Sequence, residues 1–397
     1  MAVQISRKDL EIWAGYLVNY SIGGINKDDI VMIKGEHVCW PLMSVIQDKI
    51  ISAGGIVDMN IVAPDNDRGK VWGASMARHG SFEQIGRVPQ WMVERYKTMT
   101  KYMEILGSES PELFEGLPDD KAQAIFKADE VFKTIRLAKP WVLTLYPTEG
   151  FAAMEGMDIE EYTKVIVDAS TVDPRLLEKV EEDIYRLMSK SQWIRIETEH
   201  PDTGKQLRLE MNIADKHIVK CTGERNFPDG EVFTSPDANT VNGEIFVDLP
   251  VYYSGATIQG INLQFDNGKI IKYQAKQGND TLRKIIETDE GSHRLGEVAL
   301  GMNNGIQKVL KHPLFVEKVG GTLHIAIGAS YPECFVKNYQ TEEGQKELEQ
   351  FKNKGILNKS AQHVDIVTDF RPGGAGRAVY LDDIKLEIEN NIWVIPR

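Results

Sequence analysis

Residues 29–62 read DIVMIKGEHVCWPLMSVIQDKIISAGGIVDMNIV, and this stretch decides the fold of the first half of the chain. The apolar run after Asp29 is typical of a buried strand, and residues 43–53 carry apolar side chains at helical spacing. Gly54 and Gly55 then end the helix, and the apolar run 56–62 predicts a second strand. A strand, a helix and a strand in this order predict a parallel sheet covered by helices.

The pattern changes near residue 190. Before it, helical spacing recurs at 9–20, 89–106, ahead of Leu137 and at 174–189, with a further strand at 141–146. After it, short strand patterns dominate, at 194–199, 206–211, 244–248, 260–265, 323–327 and 363–367, with one predicted helix at 297–310. We therefore predict an α/β N-terminal domain with a mostly parallel sheet over residues 1–190, followed by an α+β, strand-rich domain over residues 191–397.

The composition is that of a globular protein without a nucleic-acid partner. Hydrophobic residues make up 42% of the 397 residues, and 59 acidic against 46 basic residues give a net charge of −13. The three cysteines are too scattered for a disulfide framework or a zinc finger. No apolar run is long enough to span a membrane, and the N-terminal residues lack the pattern of a secretory leader. We expect a cytoplasmic protein with no membrane partner.

Familiar catalytic signatures are missing from the sequence. It contains no GxxxxGK[ST] or GxGxxG loop for nucleotides, no HExxH helix and no GxSxG turn. A function therefore has to be sought in less regular groups of residues.

Two histidines lie in strand patterns that suit a metal ligand. His363 and Asp365 are two residues apart in a predicted strand, so they share one face about 7 Å apart at Cα, while Val364 faces the other way. His324 shares its strand face with the small residues Thr322 and Ala326, which leave room for an ion. Taken alone, His363 and Asp365 could instead form the solvated polar face of an edge strand. Taken alone, His324 could instead be a hydrogen-bonded core histidine.

Two glutamates stand among apolar or small residues. Glu231 follows the turn at 228–230, and Glu297 is isolated within Leu295-Gly-Glu-Val-Ala-Leu300. A carboxylate buried in such a setting needs a partner, either a metal or a cation such as Arg294. With Asp365 they carry three negative charges, which two divalent ions and one bridging hydroxide would balance. This balance favours a site with two metal ions.

These segments resemble the thermophilic aminopeptidases, the aminopeptidase T and aminopeptidase S group of cocatalytic metallopeptidases. The resemblance rests on four motifs in order, which are Asp229-Gly-Glu-Val-Phe-Thr-Ser-Pro236, Leu295–Leu300, Leu323–Gly328 with Tyr331, and His363-Val-Asp365. It implies that two divalent ions, zinc, cobalt or manganese, bind to Glu231, Glu297, His324, His363 and Asp365, with Glu297 bridging and serving in catalysis. Tyr331 would stabilise the reaction intermediate, and the protein would be a homodimer that cleaves short peptides from their N-terminus.

The sequence departs from this family at one ligand. Members carry a further glutamate five residues before the histidine that matches His324, and here that position is Val319. Glu317 could replace it only if the loop through Gly320 and Gly321 were remodelled. The alternative is a single ferrous ion on His324, His363 and Asp365, as in ring-cleaving dihydroxypyridine dioxygenases, which resemble the same fold.

Overall fold

The computed structural model describes residues 4–63, 73–110, 116–253, 256–371 and 376–396. The chain forms two compact units, the first from Met1–Pro174 with Gly223–Pro228 and the second from Arg175–Thr222 with Asp229–Arg397. The domain boundary near residue 190 stays a prediction. Within the described residues, no helix is both long and apolar enough to cross a membrane.

Helices and strands alternate in the first unit, and strands dominate the second. The helices are α1 (Arg7–Tyr16), α2 (Trp40–Ser52), α3 (Ala74–His79), α4 (Phe82–Gly86), α5 (Gln90–Thr98), α6 (Asp119–Leu137), α7 (Glu149–Glu155), α8 (Ile159–Ser170), α9 (Pro174–Met188), α10 (Asn279–Ile286), α11 (Pro313–Val316) and α12 (Glu342–Asn353). The strands are β1 (Ile30–Glu36), β2 (Ile56–Val62), β3 (Lys101–Leu106), β4 (Trp141–Leu145), β5 (Trp193–Glu199), β6 (Gln206–Asn212), β7 (Val219–Cys221), β8 (Asn226–Phe227), β9 (Glu231–Thr234), β10 (Asn242–Val247), β11 (Val251–Tyr253), β12 (Ala256–Asp266), β13 (Lys269–Gln277), β14 (Leu295–Gly301), β15 (Thr322–Gly328), β16 (His363–Asp369), β17 (Ala378–Leu381), β18 (Ile384–Lys385), β19 (Glu387–Glu389) and β20 (Ile392–Val394).

The sheet of the first unit is parallel. Its strand order is β2-β1-β3-β4-β8, and each neighbouring pair is parallel. Polar side chains fix some helix starts, as Ser6 does by accepting the Asp9 N–H at the start of α1. The predicted α/β architecture of this part of the chain is confirmed.

The helix predicted over residues 89–106 is wrong in its second half, because α5 ends at Thr98 and Lys101–Leu106 forms β3. This strand lies between β1 and β4 and is buried on both faces, so its sequence shows no alternation. Its two charged residues are buried in ion pairs, with Lys101 Nζ 3.1 Å from Asp29 Oδ2 and Glu104 Oε1 3.6 Å from Lys34 Nζ.

Two large antiparallel sheets and the two-stranded antiparallel sheet β19-β20 build the described part of the second unit. The two large sheets differ in strand order. One has the order β11-β12-β10-β6-β5-β17-β18, with β13 paired to β12, and the other has the order β16-β15-β14-β9-β7. The larger apolar core of this unit takes side chains from both large sheets, among them Ile196, Leu209, Val298 and Ile325. The strand-rich α+β architecture that the sequence predicts after the parallel sheet is confirmed.

The helix predicted over residues 297–310 is wrong, because Leu295–Gly301 is β14, in the middle of the five-stranded sheet. Every residue of β14 is buried, and apolar residues on both faces mimic helical spacing. Gly296 and Gly301 permit close backbone contacts here: a Cβ on Gly296 would lie 2.0 Å from the carbonyl oxygen of Ala329.

We expect the substitution Gly296→Ala to lower the free energy of unfolding by about 3 kcal/mol, the upper end of the usual cost of overpacking a core. The added methyl group would meet backbone atoms, which cannot swing aside as a side chain can. Urea titration followed by circular dichroism measures the loss. Gly86→Ala is the control, since a Cβ there meets nothing within 4 Å. A loss below about 1 kcal/mol at position 296 would contradict this account of β14.

Candidate metal centre

Four adjacent strands of the five-stranded sheet each carry a predicted metal ligand. Glu231 begins β9, Glu297 lies on β14, His324 on β15, and His363 and Asp365 on β16. These five side chains share the face turned away from the apolar core, because their neighbours Val232, Val298, Leu323, Ile325, Val364 and Ile366 lie in that core. The structure therefore brings all five predicted ligands together.

Small residues stand opposite the ligands in the neighbouring strands. Ala326 pairs with both Glu297 and Asp365, Ala299 pairs with His324, and Gly328 pairs with His363. Cross-strand partners are the closest neighbours on a sheet face. Because the alanines and the glycine have little or no side chain, the longer polar side chains have room to approach one another on this face.

Glu297 lies between two groups of donor atoms. We call Glu231, Glu297 and His324 the inner triad, and Glu297, His363 and Asp365 the outer triad; in each, the donor atoms lie within 4.8 Å of one another. In the inner triad, His324 Nε2 is 3.5 Å from Glu231 Oε2 and 3.6 Å from Glu297 Oε1. In the outer triad, His363 Nε2 is 3.0 Å from Glu297 Oε2 and 3.5 Å from Asp365 Oδ1. The two carboxylate oxygens of Glu297 thus serve one triad each.

The donor set fits divalent metal ions. Within the part of the chain that the structure describes, three buried polar atoms of the triads lack a hydrogen-bond partner, namely Glu231 Oε2, His324 Nδ1 and Asp365 Oδ1. Leaving such atoms unsatisfied is costly, and a metal ion satisfies carboxylate oxygens. His363 Nδ1 lies 2.8 Å from the carbonyl oxygen of Ala329, which can only accept, so Nδ1 carries the hydrogen and Nε2 is free to bind a metal. Imidazole and carboxylate together suit zinc, cobalt or manganese.

The two histidines are held by negative charge. Burial disfavours the charged form of His324, but its contact with Glu297 and the charge of Glu231 outweigh burial and raise its pKa to about 9. For His363, Asp365 and Glu297 outweigh burial in the same way and raise the pKa to about 11. Burial opposes ionisation of Glu297, yet the histidines lower its pKa overall. The carboxylates of the triads thus stabilise positive charge on the histidines, as they would stabilise a bound cation.

Two charged residues, Glu317 and Lys318, lie next to the triads. The sequence suggested Glu317 only as a replacement ligand, and Lys318 was not predicted to belong to the site. Lys318 is buried, and its Nζ lies 2.5 Å from Glu231 Oε1, 3.4 Å from Glu317 Oε2 and 3.7 Å from Asp229 Oδ1. Burial and the charge of Asp365 raise the pKa of Glu317 well above its usual value. The sequence shows Glu317 and Lys318 only as an adjacent charged pair, which usually lies on a surface.

Val319, the position of the missing family ligand, offers no donor atom and belongs to the apolar interior. It is fully buried and forms a bridge with Asn303, and the Asn303 N–H donates to the carbonyl oxygen of Lys318. Neither Val319 nor Glu317 belongs to a donor group formed by the described residues. A third such group, Cys221, Asp229 and Glu231, lies around the ammonium of Lys318.

A cavity of about 180 Å³ opens beside the outer triad. Its polar lining consists of Glu317, His363, Asp365 and Lys311, and its apolar lining includes Pro250, Val251, Tyr252, Tyr253, Pro313, Val316, Val364 and Val367. A small organic molecule in this cavity would therefore meet carboxylates and an imidazole on one side and an apolar wall on the other.

Tyr331 lies against the outer triad. Its ring centroid is 4.7 Å from that of His363 and 5.3 Å from that of Phe233. Burial and the negative charges of Glu297 and Asp365 raise its pKa, so the hydroxyl group stays protonated and can donate a hydrogen bond.

Comparisons with known protein sequences point to a family of metal-dependent peptidases. A family described as thermophilic metalloprotease (M29) matches residues 6–372. Aminopeptidase AmpS of Bacillus subtilis is 36% identical over 172 residues, which cover 40% of this chain and 40% of the relative. Aminopeptidase T of Thermus thermophilus is 28% identical over 320 residues, 71% of this chain and 74% of the relative.

Solved structures share the fold. AmpT from Thermus thermophilus superimposes with a TM-score of 0.73 at 22% identity, covering 98% of this chain and 100% of its own. The 2,5-dihydroxypyridine dioxygenase from Pseudomonas putida KT2440 has a TM-score of 0.57 at 13% identity, with 99% of both chains covered. At these identities the likeness establishes the architecture alone.

Proposed function

Because the chain belongs to the thermophilic metalloprotease family M29, we propose that it is a metal-dependent aminopeptidase that releases N-terminal residues from short peptides. The observation that supports this most directly is the pair of triads sharing Glu297 beside a cavity. We propose two divalent ions, zinc, cobalt or manganese, with Glu231 and His324 on one, His363 and Asp365 on the other, and Glu297 bridging.

Bound metal ions and two of the protein's own residues would prepare the reaction. Bound metal ions would lower the pKa of a water molecule and polarise the peptide carbonyl group. His363 is oriented by its hydrogen bond to the Ala329 carbonyl group, so that Nε2 points to Glu297. Tyr331 keeps its proton and can donate to the oxyanion that forms at the attacked carbonyl group.

Glu317 offers a carboxylate for the substrate's amino terminus. It lines the cavity together with His363 and Asp365, and its side chain is mostly buried. An α-ammonium group bound there would restore the ionised form of Glu317, which burial and Asp365 disfavour in the empty cavity. A carboxylate beside the outer triad would select peptides by their free N-terminus, which is the property of an aminopeptidase.

We expect Glu317→Gln to lower kcat/KM by about 10- to 100-fold, mainly through KM, since a hydrogen bond between charged groups contributes about 1.5–3 kcal/mol. Steady-state kinetics on aminoacyl p-nitroanilides measure the change, and the metal content should stay that of the wild type. Glu342→Gln on α12 is the control for charge loss, because its side chain is exposed. Loss of a metal ion from Glu317→Gln would instead identify Glu317 as the replacement for the missing ligand.

The proposed activity is tested with chelated protein reloaded with zinc, cobalt or manganese. We expect hydrolysis of aminoacyl p-nitroanilides and short peptides that disappears with the chelator and returns with the metal. N-acetylated substrates should be resistant. Absence of hydrolysis with every metal would reject the proposal.

The single-iron dioxygenase alternative has less support from the geometry. It requires both histidines and one carboxylate around one ion. Among the described residues, His324 and His363 belong to different triads, which meet only at Glu297. Oxygen uptake with ferrous ion and 2,5-dihydroxypyridine, without peptide hydrolysis, would favour that alternative. The expectations of a homodimer and of a cytoplasmic location stay predictions.

A further inference from the structure

We propose that Lys318 makes the two metal positions unequal, so that the outer triad binds a divalent cation more tightly than the inner triad. The proposal rests on the metal-dependent function proposed above and goes beyond it, because it assigns an order of binding and a cause to that order. The cause is a buried ammonium group in contact with only one of the two triads.

Lys318 is built into the floor of the site. Its side chain is 3% exposed, and its Nζ lies 2.5 Å from Glu231 Oε1. The backbone on both sides is fixed, since the Lys318 N–H donates to the Phe315 carbonyl group and the Lys318 carbonyl group accepts from the Asn303 N–H. The ammonium therefore cannot move into solvent without breaking the packed turn after α11.

Only the inner triad contacts this ammonium. Lys318 occupies Glu231 Oε1 and leaves Oε2 as the oxygen free for a metal. Its positive charge already compensates the Glu231 carboxylate and repels a cation that approaches it. Among the ion pairs of the described residues, Lys318 pairs with neither His363 nor Asp365; Asp365 contacts the carboxyl group of Glu317, and Lys311 lies in the lining of the cavity beside them.

Access to solvent favours the outer triad as well. The side chains of His363 and Asp365 are 23% and 20% exposed and line the cavity, whereas those of His324 and Glu231 are 1% and 7% exposed. A cation from solution therefore meets His363 and Asp365 in the cavity, whereas His324 and Glu231 are almost closed to solvent. The first ion to bind would be the one that faces the substrate cavity.

Equilibrium dialysis of metal-stripped protein against graded free Zn²⁺, with metal analysis, tests the proposal. We expect two steps in the wild type, with dissociation constants about 10- to 100-fold apart, a modest part of the repulsion between two neighbouring positive charges at a protein surface. In Lys318→Met this repulsion is removed, Glu231 is released, and the gap should close by about tenfold or more. Equal affinities in the wild type, or an unchanged gap in Lys318→Met, would overturn the proposal.

A matched control separates loss of a buried lysine from the effect on the metal. Lys34 is also buried, with its Nζ 3.6 Å from Glu104 Oε1, and it belongs to the other unit. Lys34→Met should lower the melting temperature without changing the gap between the two Zn²⁺ steps. Lys318→Met should also melt earlier without metal, but saturating Zn²⁺ should raise its melting temperature more than that of the wild type.

If Lys318→Met fails to fold, the variants His363→Gln and His324→Gln test the order of metal binding instead. His363→Gln should remove the tight step, and His324→Gln should remove only the weak one. The reverse pattern would overturn the proposal. Two equal Zn²⁺ steps with intact peptide hydrolysis would reject the order of binding alone, whereas two unequal steps without hydrolysis would reject the proposed activity alone.

Discussion

Glu297→Gln should lower kcat/KM for aminoacyl p-nitroanilides by about a thousandfold or more. Glu297 is the one residue that belongs to both triads, with Oε1 near His324 and Oε2 near His363. An amide keeps the shape of the carboxylate but loses its charge, and it would present a nitrogen where a bound ion needs an anionic oxygen. Metal ions supply several kcal/mol of stabilisation to the transition state, and each step of about 1.4 kcal/mol is a factor of ten.

The measurement is single-substrate kinetics combined with metal analysis of the same sample. Glu290→Gln is the matched control, since it makes the same change on an exposed side chain that pairs with Lys269. It should keep wild-type turnover and metal content. A Glu297→Gln protein that carries its full metal content and turns over at near wild-type rate would rule out a bridging role.

Tyr331→Phe should lower kcat by about 100- to 1000-fold with little change in KM, the usual loss when one donor to an oxyanion is removed. The ring should keep its place against His363 and Phe233, since only the hydroxyl group is removed. Metal binding should be unchanged. Kinetics across pH extend the test, because the raised pKa of Tyr331 means that the wild type should show no loss of activity from this hydroxyl in the ordinary alkaline range.

Tyr339→Phe serves as the control for Tyr331→Phe. Tyr331 and Tyr339 both pack against an apolar cluster that includes Phe233 and Phe335. The hydroxyl group of Tyr339, however, accepts a hydrogen bond from the side-chain amide of Gln340. We expect unchanged kinetics. If Tyr331→Phe instead raised KM and left kcat unchanged, the hydroxyl group would contact the bound substrate and the transition state equally, and would not act on the transition state alone.

The sequence predicted best what depends on strand parity. Because side chains alternate along a strand, His363 and Asp365 had to share a face with each other but not with Val364, and the structure has them so. The same rule separates His324 from the core residues Leu323 and Ile325. Which strands lie side by side is a long-range property. Glu231 and Glu297 were joined to this set by their charge balance with Asp365 and by the resemblance to a family, and not by any strand pattern.

The errors have a common physical origin. Both β3 and β14 are central strands buried on two faces, so their sequences lack alternation and were predicted as helices. Lys318 escaped notice for a related reason. A lysine is almost never fully buried unless it is paired, and its partners Glu231 and Asp229 lie almost ninety positions earlier in the chain.

The placement of one carboxylate between two triads also bears on how the protein withstands heat. Bound ions would cross-link four neighbouring strands, β9, β14, β15 and β16, through the ligands Glu231, Glu297, His324, His363 and Asp365. A ligand that binds only the folded state slows loss of that state. The half-life of the folded protein at elevated temperature should therefore increase with the free metal concentration. Removing the ions should shorten this half-life even when the metal-free protein stays folded at ambient temperature.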